Sequence, residues 1–543
     1  MAVACWLCTL SILLIGAAPR PIAATKWETL FTAQDVRDHL STVAGREQAL
    51  DFCRRMGISK VYVEAFRDGY QADATTLREA RDFFRQAGLE VSGCVMPTGL
   101  GKRQTAPWPL ACLTNRANQA HLNEIFRFTA SLFNEIMIDD AFATACTCSE
   151  CTSARGTESW QQYRKQLKLK LDREDVLAAA RAVNPRVRII LKFPQWYDDF
   201  QNRGYWPAEE SALYPRIWVG TELRSPSSQK WGHKQQYEGF FIYRWLRSIA
   251  GSKTGGGWFD PFGTTPVYYL DQAYVTVLAG APEIMLFYYG GLSSPEYQPQ
   301  AAALAAHREE LDALAKLAGN WRGIPAYKPN GSDPGSEPYI FDEIGMLGIP
   351  LLPVARFPAG ARAAIFAESA LGDARFVPEL ARFLEAGGTA FATGGLAHRV
   401  NADPRLPSHE SVQLAGGALL KTVSEGAGRL IIFSDELARL TFVDSANRVA
   451  QLTPETRKAL ENLRNAVSPF TVTSQDAPPR VAIFPMQGRV AVMNFTELPV
   501  ACHLEGQPDA GHRLEKVFAT SGAELARDGS TLDLPPHALL MVR

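Results

Sequence analysis

The stretch NEIMIDDAF, residues 134–142, decides how the chain is read: a short apolar run, Ile136-Met137-Ile138, stops at two adjacent acids. Runs of that length and make-up are strand-like, and a polar stop marks where a strand leaves a sheet. The same figure recurs on both sides of it, in SKVYVEAF (59–66), LEVSGCVMP (89–97), ACLTN (111–115), VRIILKF (187–193), RIWVGTEL (216–223), GGWFDPF (256–262) and EIMLFYYG (283–290). Between these runs lie helix-period segments such as TTLREARDFFRQAG, NQAHLNEIFRFTASLF and YLDQAYVTVLAGA, rich in helix formers and often closed by Gly. Eight alternating strands and helices in about 250 residues predict an α/β fold of the (β/α)8 type, a TIM barrel. A doubly wound sheet is the rival, and the Gly-rich first turn it normally carries is missing.

In such a barrel the chemistry sits where strands run into the following loops. The ionisable residues at those places are Glu64 after the first run, Asp139 and Asp140 after the fourth, Lys192 after the fifth, Glu222 after the sixth and Asp260 after the seventh. Trp196, Trp258 and Tyr288 stand beside them. Several carboxylates facing one mouth floored by aromatic rings suit glycoside hydrolysis, in which one acid protonates the leaving oxygen and another attacks or activates water. The catalytic pair is expected to be Asp139 or Asp140 with Glu222 or Asp260. Glu64, Arg67, Lys192, Trp196, Arg224, Trp258 and Tyr288 are the candidate substrate-binding residues, the three cations either meeting sugar hydroxyls or holding the carboxylates ionised. Each acid taken alone can equally be a helix cap or a salt-bridge partner.

Fifty-six basic residues balance fifty-seven acidic ones, and no long run of either sign occurs. Nothing in that pattern points to nucleic acid or to a charged membrane surface. The apolar residues 2 to 18, followed by small residues ending at Ala23 and Ala24, read as a secretory signal peptide over 1–24, although no Lys or Arg precedes the apolar run. The mature chain is therefore expected to be secreted or periplasmic, with no membrane contact after signal cleavage.

Removing that segment leaves seven cysteines, an odd number. Cys146, Cys148 and Cys151 are spaced too tightly to bridge comfortably among themselves, whereas thiolates so placed can share a tetrahedral Zn²⁺. Cys112, assigned to the third strand, is the natural fourth ligand of a closed, structural metal site. A disulfide from Cys112 to one of the trio is the alternative, favoured by an oxidising compartment.

A barrel whose fourth strand ends in acids followed by C-x-C-x-x-C, with a further Cys near the third strand, resembles the zinc-bearing β-galactosidases of glycoside hydrolase family 42. The resemblance implies that Cys112, Cys146, Cys148 and Cys151 correspond to that family's zinc ligands. It also implies a catalytic Glu at the fourth strand and another at the seventh, where this chain has Asp139-Asp140-Ala141 and Asp260. An Asp at the fourth strand with an acid at the sixth is instead similar to the α-galactosidase clan, in which those positions carry nucleophile and acid/base.

Beyond the barrel, AYKPNGSDPGSE (326–337) reads as a linker. The β runs and helices that follow resemble the flavodoxin-like, amidotransferase-related domain of family 42, which mediates trimer contacts there. From about residue 476, strand-length runs broken by Gly and Pro predict a small β-sandwich. The expected division is thus 25–325 barrel, 326–475 flavodoxin-like domain and 476–543 sandwich. Asn494-Phe495-Thr496 forms a glycosylation sequon. Two functions follow: an exported glycoside hydrolase acting on an oligo- or polysaccharide, galactosidase-like and retaining, as a possible dimer or trimer, or a catalytically silent carbohydrate-binding or scaffold barrel.

Overall fold

A computed structural model describes residues 25–103, 110–228, 230, 235–400, 418–425, 427–441, 451–506 and 513–543. The expected signal segment lies outside the described residues.

Eight parallel strands close on themselves: β1 (Lys26–Phe31), β2 (Lys60–Arg67), β3 (Glu90–Val95), β4 (Glu135–Ile138), β5 (Arg188–Phe193), β6 (Arg216–Gly220), β7 (Thr254–Phe259) and β8 (Glu283–Leu286). Each pairs with its successor, and β8 pairs with β1 through Trp27 and Ile284. The helices Ala74–Gln86, Arg116–Leu132 and Pro266–Leu278 fall where the period-3.6 segments place them, their first turns capped by the side chains of Asp73, Asn115 and Thr265.

Two strands differ from the expectation. β1 is an addition, because Lys26, Glu28 and Thr29 leave no apolar run longer than two residues in KWETLF, although Glu28 and Thr29 are both buried. ACLTN is not a strand. It belongs to the long loop after β3, touching Arg103 through one isolated antiparallel bridge at Ala111, and its apolar residues are buried against that loop's own surroundings. The two differences cancel, so β4 remains the fourth strand, while Glu64 sits on the second strand and Cys112 on none.

Side chains two apart on a strand share a face. The lumen is therefore layered, with Leu30, Tyr62, Cys94, Met137, Ile190, Trp218, Trp258 and Met285 forming an apolar waist, one residue from each strand. Two residues toward the strand starts lie Glu28, Lys60, Glu135, Arg188, Arg216 and Glu283, a charged lower rim tied by contacts such as Lys60–Glu135 at 2.7 Å and Arg216–Glu283 at 3.0 Å. Two residues toward the strand ends, the same arithmetic brings Glu64, Asp139 and Lys192 to the upper rim.

After the barrel comes a six-stranded sheet, β9 (Ile324–Tyr327), β10 (Leu351–Val354), β11 (Ala363–Phe366), β12 (Thr389–Thr393), β13 (Leu420–Glu425) and β14 (Gly428–Phe433), in the order β10-β9-β11-β12-β14-β13. All neighbours are parallel except β13 with β14. The chain ends in two antiparallel sheets. β15 (Val481–Met486), β16 (Arg489–Asn494), β17 (Val500–His503), β18 (Lys516–Ala519), β19 (Glu524–Leu525), β20 (Thr531–Leu534) and β21 (Leu539–Val542) arrange as β15-β16-β21-β18 and β17-β20-β19.

The Pro/Gly-rich stretch 326–337 is a packed loop and not a free linker. It begins within β9, Lys328 is buried and pairs with Asp198 of the barrel at 2.6 Å, and Asn330 accepts from Ala208 N at 3.1 Å. Asn494 is fully buried, its amide donating to the carbonyls of Leu498, Leu534 and Pro535, so the sequon offers no acceptor in the folded chain.

Candidate active site

β4 ends at Ile138, and the next two residues turn into the mouth of the barrel. Asp139 continues the inward face of Met137, and its carboxylate accepts from the Asp140 N–H at 2.6 Å. Ala141 then adopts φ +67°, a left-handed conformation that costs a non-glycine residue roughly 1–2 kcal/mol. That turn sends Phe142 down into the core, where the Lys168 ammonium lies 3.6 Å above its ring. Asp140 is thereby held between a hydrogen-bonded residue and a strained one, and such strain is characteristic of functional turns.

Around this turn the barrel mouth forms a pocket of about 420 Å³. Asp139, Asp140, Glu222 and Asp260 all line it, together with Arg67, Lys192, Trp196, Arg224 and Trp258. Thus four acids from three separate strand ends meet, with five of the seven expected binding residues. The other two stand apart. Glu64 is fully buried beneath the pocket, where it accepts two hydrogen bonds from the Arg67 guanidinium at 2.7 and 2.9 Å and one from Ala33 N. Tyr288 lines a neighbouring depression.

Lys192 is the hub. Its buried Nζ lies 2.8 Å from Glu222 Oε1, 3.1 Å from Asp140 Oδ1 and 3.6 Å from Asp139 Oδ1, and 3.9 Å from the centre of the Trp258 ring. Burial lowers the affinity of an ammonium for its proton, but three carboxylates outweigh it and the pKa of Lys192 is raised. Arg67 spans Glu64 and Asp139, and Arg224 grips Asp260 with bonds of 2.7 and 2.9 Å.

The acids do not ionise alike. Burial pushes Asp139 up, yet Lys192 and Arg67 together hold it below the usual carboxylate range. Asp140 is pushed up by burial to about 7, with Glu222 and Asp139 adding to the rise and Lys192 opposing it. Glu222 and Asp260 are raised, again chiefly by burial. Asp140 is also the most accessible of the four, its side chain 23% exposed against 3% for Glu222. A carboxyl that is reachable and half-protonated near neutrality is equipped to give and take a proton.

Sequence reading passed over Met96, Gln195, Phe262 and Phe287, which also line the pocket. Gln195 Oε1 is buried and accepts no hydrogen bond. Gly220 belongs to the same construction, because a Cβ there would lie 2.3 Å from Glu222 Oε2.

Behind the acidic turn, Cys112, Cys146, Cys148 and Cys151 place their sulfurs within 4.8 Å of one another. Cys112 Sγ is 3.5 Å from Cys151 and 3.8 Å from Cys148, and Cys148 is 3.7 Å from Cys151. A tetrahedron with metal–sulfur bonds of about 2.3 Å has edges of about 3.8 Å, whereas a disulfide brings two sulfurs to about 2.05 Å. The cluster can hold a metal ion. Thr114 Oγ1 supports it at 3.0 Å from Cys151, and Asn118 fixes the Cys112 carbonyl at 3.0 Å.

The profile of a family described as "Probable glycosyl hydrolase, catalytic domain" matches residues 19–310. An uncharacterized protein of Saccharolobus solfataricus is 25% identical over 339 residues, 55% of this chain and 55% of that protein. The chain thus spans about half the length of the curated relative it matches. Among solved structures, Gan42B, a GH42 beta-galactosidase from G. stearothermophilus, superposes with a TM-score of 0.61 at 12% identity, over 96% of this chain and 98% of that one. Alpha-L-fucosidase isoenzyme 2 from Paenibacillus thiaminolyticus gives 0.62 at 11% identity, over 96% and 99%. At such identities the likeness is one of fold.

Proposed function

The chain belongs to the family of probable glycosyl hydrolase catalytic domains, and from that premise we propose that it hydrolyses O-glycosidic bonds with Asp140 and Glu222 as the carboxylate pair. The observation that carries this reading is the shared ammonium of Lys192. Because Asp140 Oδ1 and Glu222 Oε1 stand 3.1 and 2.8 Å from one nitrogen, they lie within about 6 Å of each other. That bound suits a retaining pair, whose carboxyls are about 5–5.5 Å apart, better than an inverting pair at about 6.5–9.5 Å.

Asp140 then gives its proton to the glycosidic oxygen as the C–O bond breaks, while the Glu222 carboxylate attacks the anomeric carbon. In the second half Asp140 takes a proton from water, and the resulting hydroxide displaces Glu222 from the sugar. Asp139, held ionised by Arg67 and Lys192, and Asp260, held by Arg224, stabilise positive charge developing on the ring. Gln195 Oε1 accepts from a sugar hydroxyl and the Trp196 ring meets a sugar face, while the buried Trp258 ring, between Lys192 and Phe287, forms the floor beneath them.

The sulfur geometry supports zinc in the four-cysteine site, where it binds the loop that carries Asp140 to the loop after β3. The strand order of the second sheet supports a flavodoxin-like, amidotransferase-related domain over 326–475, and the two terminal antiparallel sheets support a small sandwich over 476–543. Export through residues 1–24 to the periplasm or medium, a galactosidase-like preference and a homodimer or homotrimer complete the proposal.

A silent carbohydrate-binding barrel is favoured by one observation, that each acid at the mouth already has a cationic partner. Aryl glycosides with good and poor leaving groups separate the two. Asp140→Asn is expected to lose about 10²–10⁴-fold on poor leaving groups and much less on activated ones, which need no proton, while Glu222→Gln loses activity on both. A wild-type protein inactive on every α- and β-glycoside gives the case to the silent barrel.

A further inference from the structure

The pocket does not stand alone at the mouth. On the side of β8, β1 and β2 a second depression of about 490 Å³ adjoins it, sharing Arg67, Phe262 and Phe287 as a common wall and extending to Gln34, Asp38 and His39 on the helix after β1. On the opposite side, above β3 to β5, a third depression of about 210 Å³ shares Trp196 with it and is bounded by Leu110, Asp199, Arg203 and Tyr339.

Tyr339 comes from the polypeptide after β9, outside the barrel. It is held at the edge of the third depression: its backbone lies in the left-handed region at φ +57°, and its N–H donates to Asp198 Oδ2 at 2.6 Å. Its ring meets Tyr197 edge-on at 5.1 Å, and Lys328 binds the other oxygen of Asp198 at 2.6 Å. A strained residue kept in place by a buried ion pair presents a fixed wall, not a loose loop.

Among the described residues, the acid pocket and the two depressions that share wall residues with it make a barrel mouth extended on both sides of the acids. A site that removes single terminal sugars needs binding room on one side of the acids only, whereas depressions on both sides suit a chain that continues in both directions. The two outer depressions carry aromatic rings and mixed charges: His39 and Tyr288 with Asp38 at one end, Trp196 and Tyr339 with Asp199 and Arg203 at the other. No single sign dominates either end, and rings beside short polar groups suit the C–H faces and hydroxyls of neutral sugars.

We infer that the barrel mouth binds an extended neutral polysaccharide across its full width, with at least one sugar-binding subsite on each side of Asp140, and cuts it internally. This inference rests on the glycoside hydrolase reading above and specifies its substrate class.

The test uses the full-length protein with linear neutral polysaccharides of α- and β-linked galactose, glucose and mannose, and with their fragments of two and six sugars. Internal cleavage lowers the viscosity of the polymer early and yields fragments of intermediate length. Release of mono- or disaccharide from chain ends with viscosity unchanged overturns the inference and leaves the hydrolase reading standing. Cleavage of aryl glycosides with none of the polymers or hexamers cut overturns it likewise. Cleavage of neither aryl glycosides nor glycans removes the hydrolase reading, and the inference with it. Tyr339→Ala and, at the far end, Gln34→Ala are each expected to lower kcat/KM about tenfold on the hexamer and by a smaller factor on the dimer. Equal losses on hexamer and dimer, for both variants, mark structural damage rather than subsites and overturn the inference.

Discussion

Lys192 Nζ and Asp140 Oδ1 face each other at 3.1 Å inside the barrel mouth, and the same ammonium reaches Glu222 and Asp139. Lys192 is thus shared by three acids, of which Asp139 has Arg67 as a second partner, so Asp140 stands among more carboxylates than cations. Burial is the main reason that Asp140 is pushed up to about 7, and the carboxylates of Glu222 and Asp139 beside it add to the rise. Reactivity at Asp140 is therefore a property of the whole group.

Removing Lys192 should be costly in a way a surface pair is not. Lys192→Met leaves the carboxylates of Asp139, Asp140 and Glu222 with one fewer buried partner, and losing one side of a buried pair typically costs 3–5 kcal/mol. Chemical denaturation should show a loss of that order for the barrel transition. A loss below about 1 kcal/mol, the scale of an exposed pair, would mean the ammonium is not buried among the acids.

Asp140 carries a signed pH dependence. Its folded pKa is raised above the ordinary carboxylate value, so its contribution to stability is fully present below about 4, the unfolded value, and is lost as pH rises through about 7. Asp140→Asn stays neutral throughout and escapes that loss. The variant should be slowed on poor leaving groups yet melt higher than wild type at pH 8, by about 2–4 °C for each kcal/mol relieved, with the gap closing toward pH 4. Equal melting temperatures at both pH values would show that Asp140 ionises normally.

The barrel was legible because its strands are buried on both faces, so that seven of them read as short apolar runs. β1 was not, since the adjacent Glu28 and Thr29 leave only Trp27 and the pair Leu30-Phe31 in KWETLF, too short to read as a run. ACLTN misled for the converse reason: its apolar character serves a loop buried around Cys112, and one-dimensional patterning does not separate a buried loop from a buried strand. The acids were found from strand ends alone, Asp139 and Asp140 most directly because they terminate a run. Their partners required the closed barrel, since Lys192 and Glu222 are thirty residues apart and Arg67 and Asp139 seventy-two. The same closure separates Trp258, which faces the lumen, from its neighbour Phe259, which faces the outer helices. Gln195 gave no signal, because an amide in a loop looks like any other polar residue until the pocket forms around it.

The four cysteines predict a stoichiometric metal. Purified protein should contain about one zinc per chain, and Cys151→Ser or exhaustive chelation should lower the melting temperature and kcat together, because the metal ties down the loop carrying Asp140. Free-thiol titration of the unfolded, chelated protein should count all seven cysteines outside the expected signal segment. Zinc near zero with fewer thiols would put a disulfide in the place of the metal.

The C-terminal sheets are fastened to the barrel by a titratable contact. His537 Nδ1 lies 2.9 Å from Asp271 Oδ2 on the helix Pro266–Leu278, and Nε2 lies 3.5 Å from Glu497, which also accepts from Tyr268 OH at 2.6 Å. Burial lowers the imidazole pKa, but Asp271 and then Glu497 outweigh it and the pKa is raised. The stabilisation is therefore fully present below about 6.5, the unfolded value, and is lost as pH rises through the higher folded one. His537 also has φ +55°, so Asn is the substitution that keeps the backbone while removing the charge. His537→Asn should lower the melting temperature at pH 6 and converge on wild type at pH 9. A deficit that is the same at both values would assign His537 a packing role alone and leave the attachment of the sheets independent of its proton.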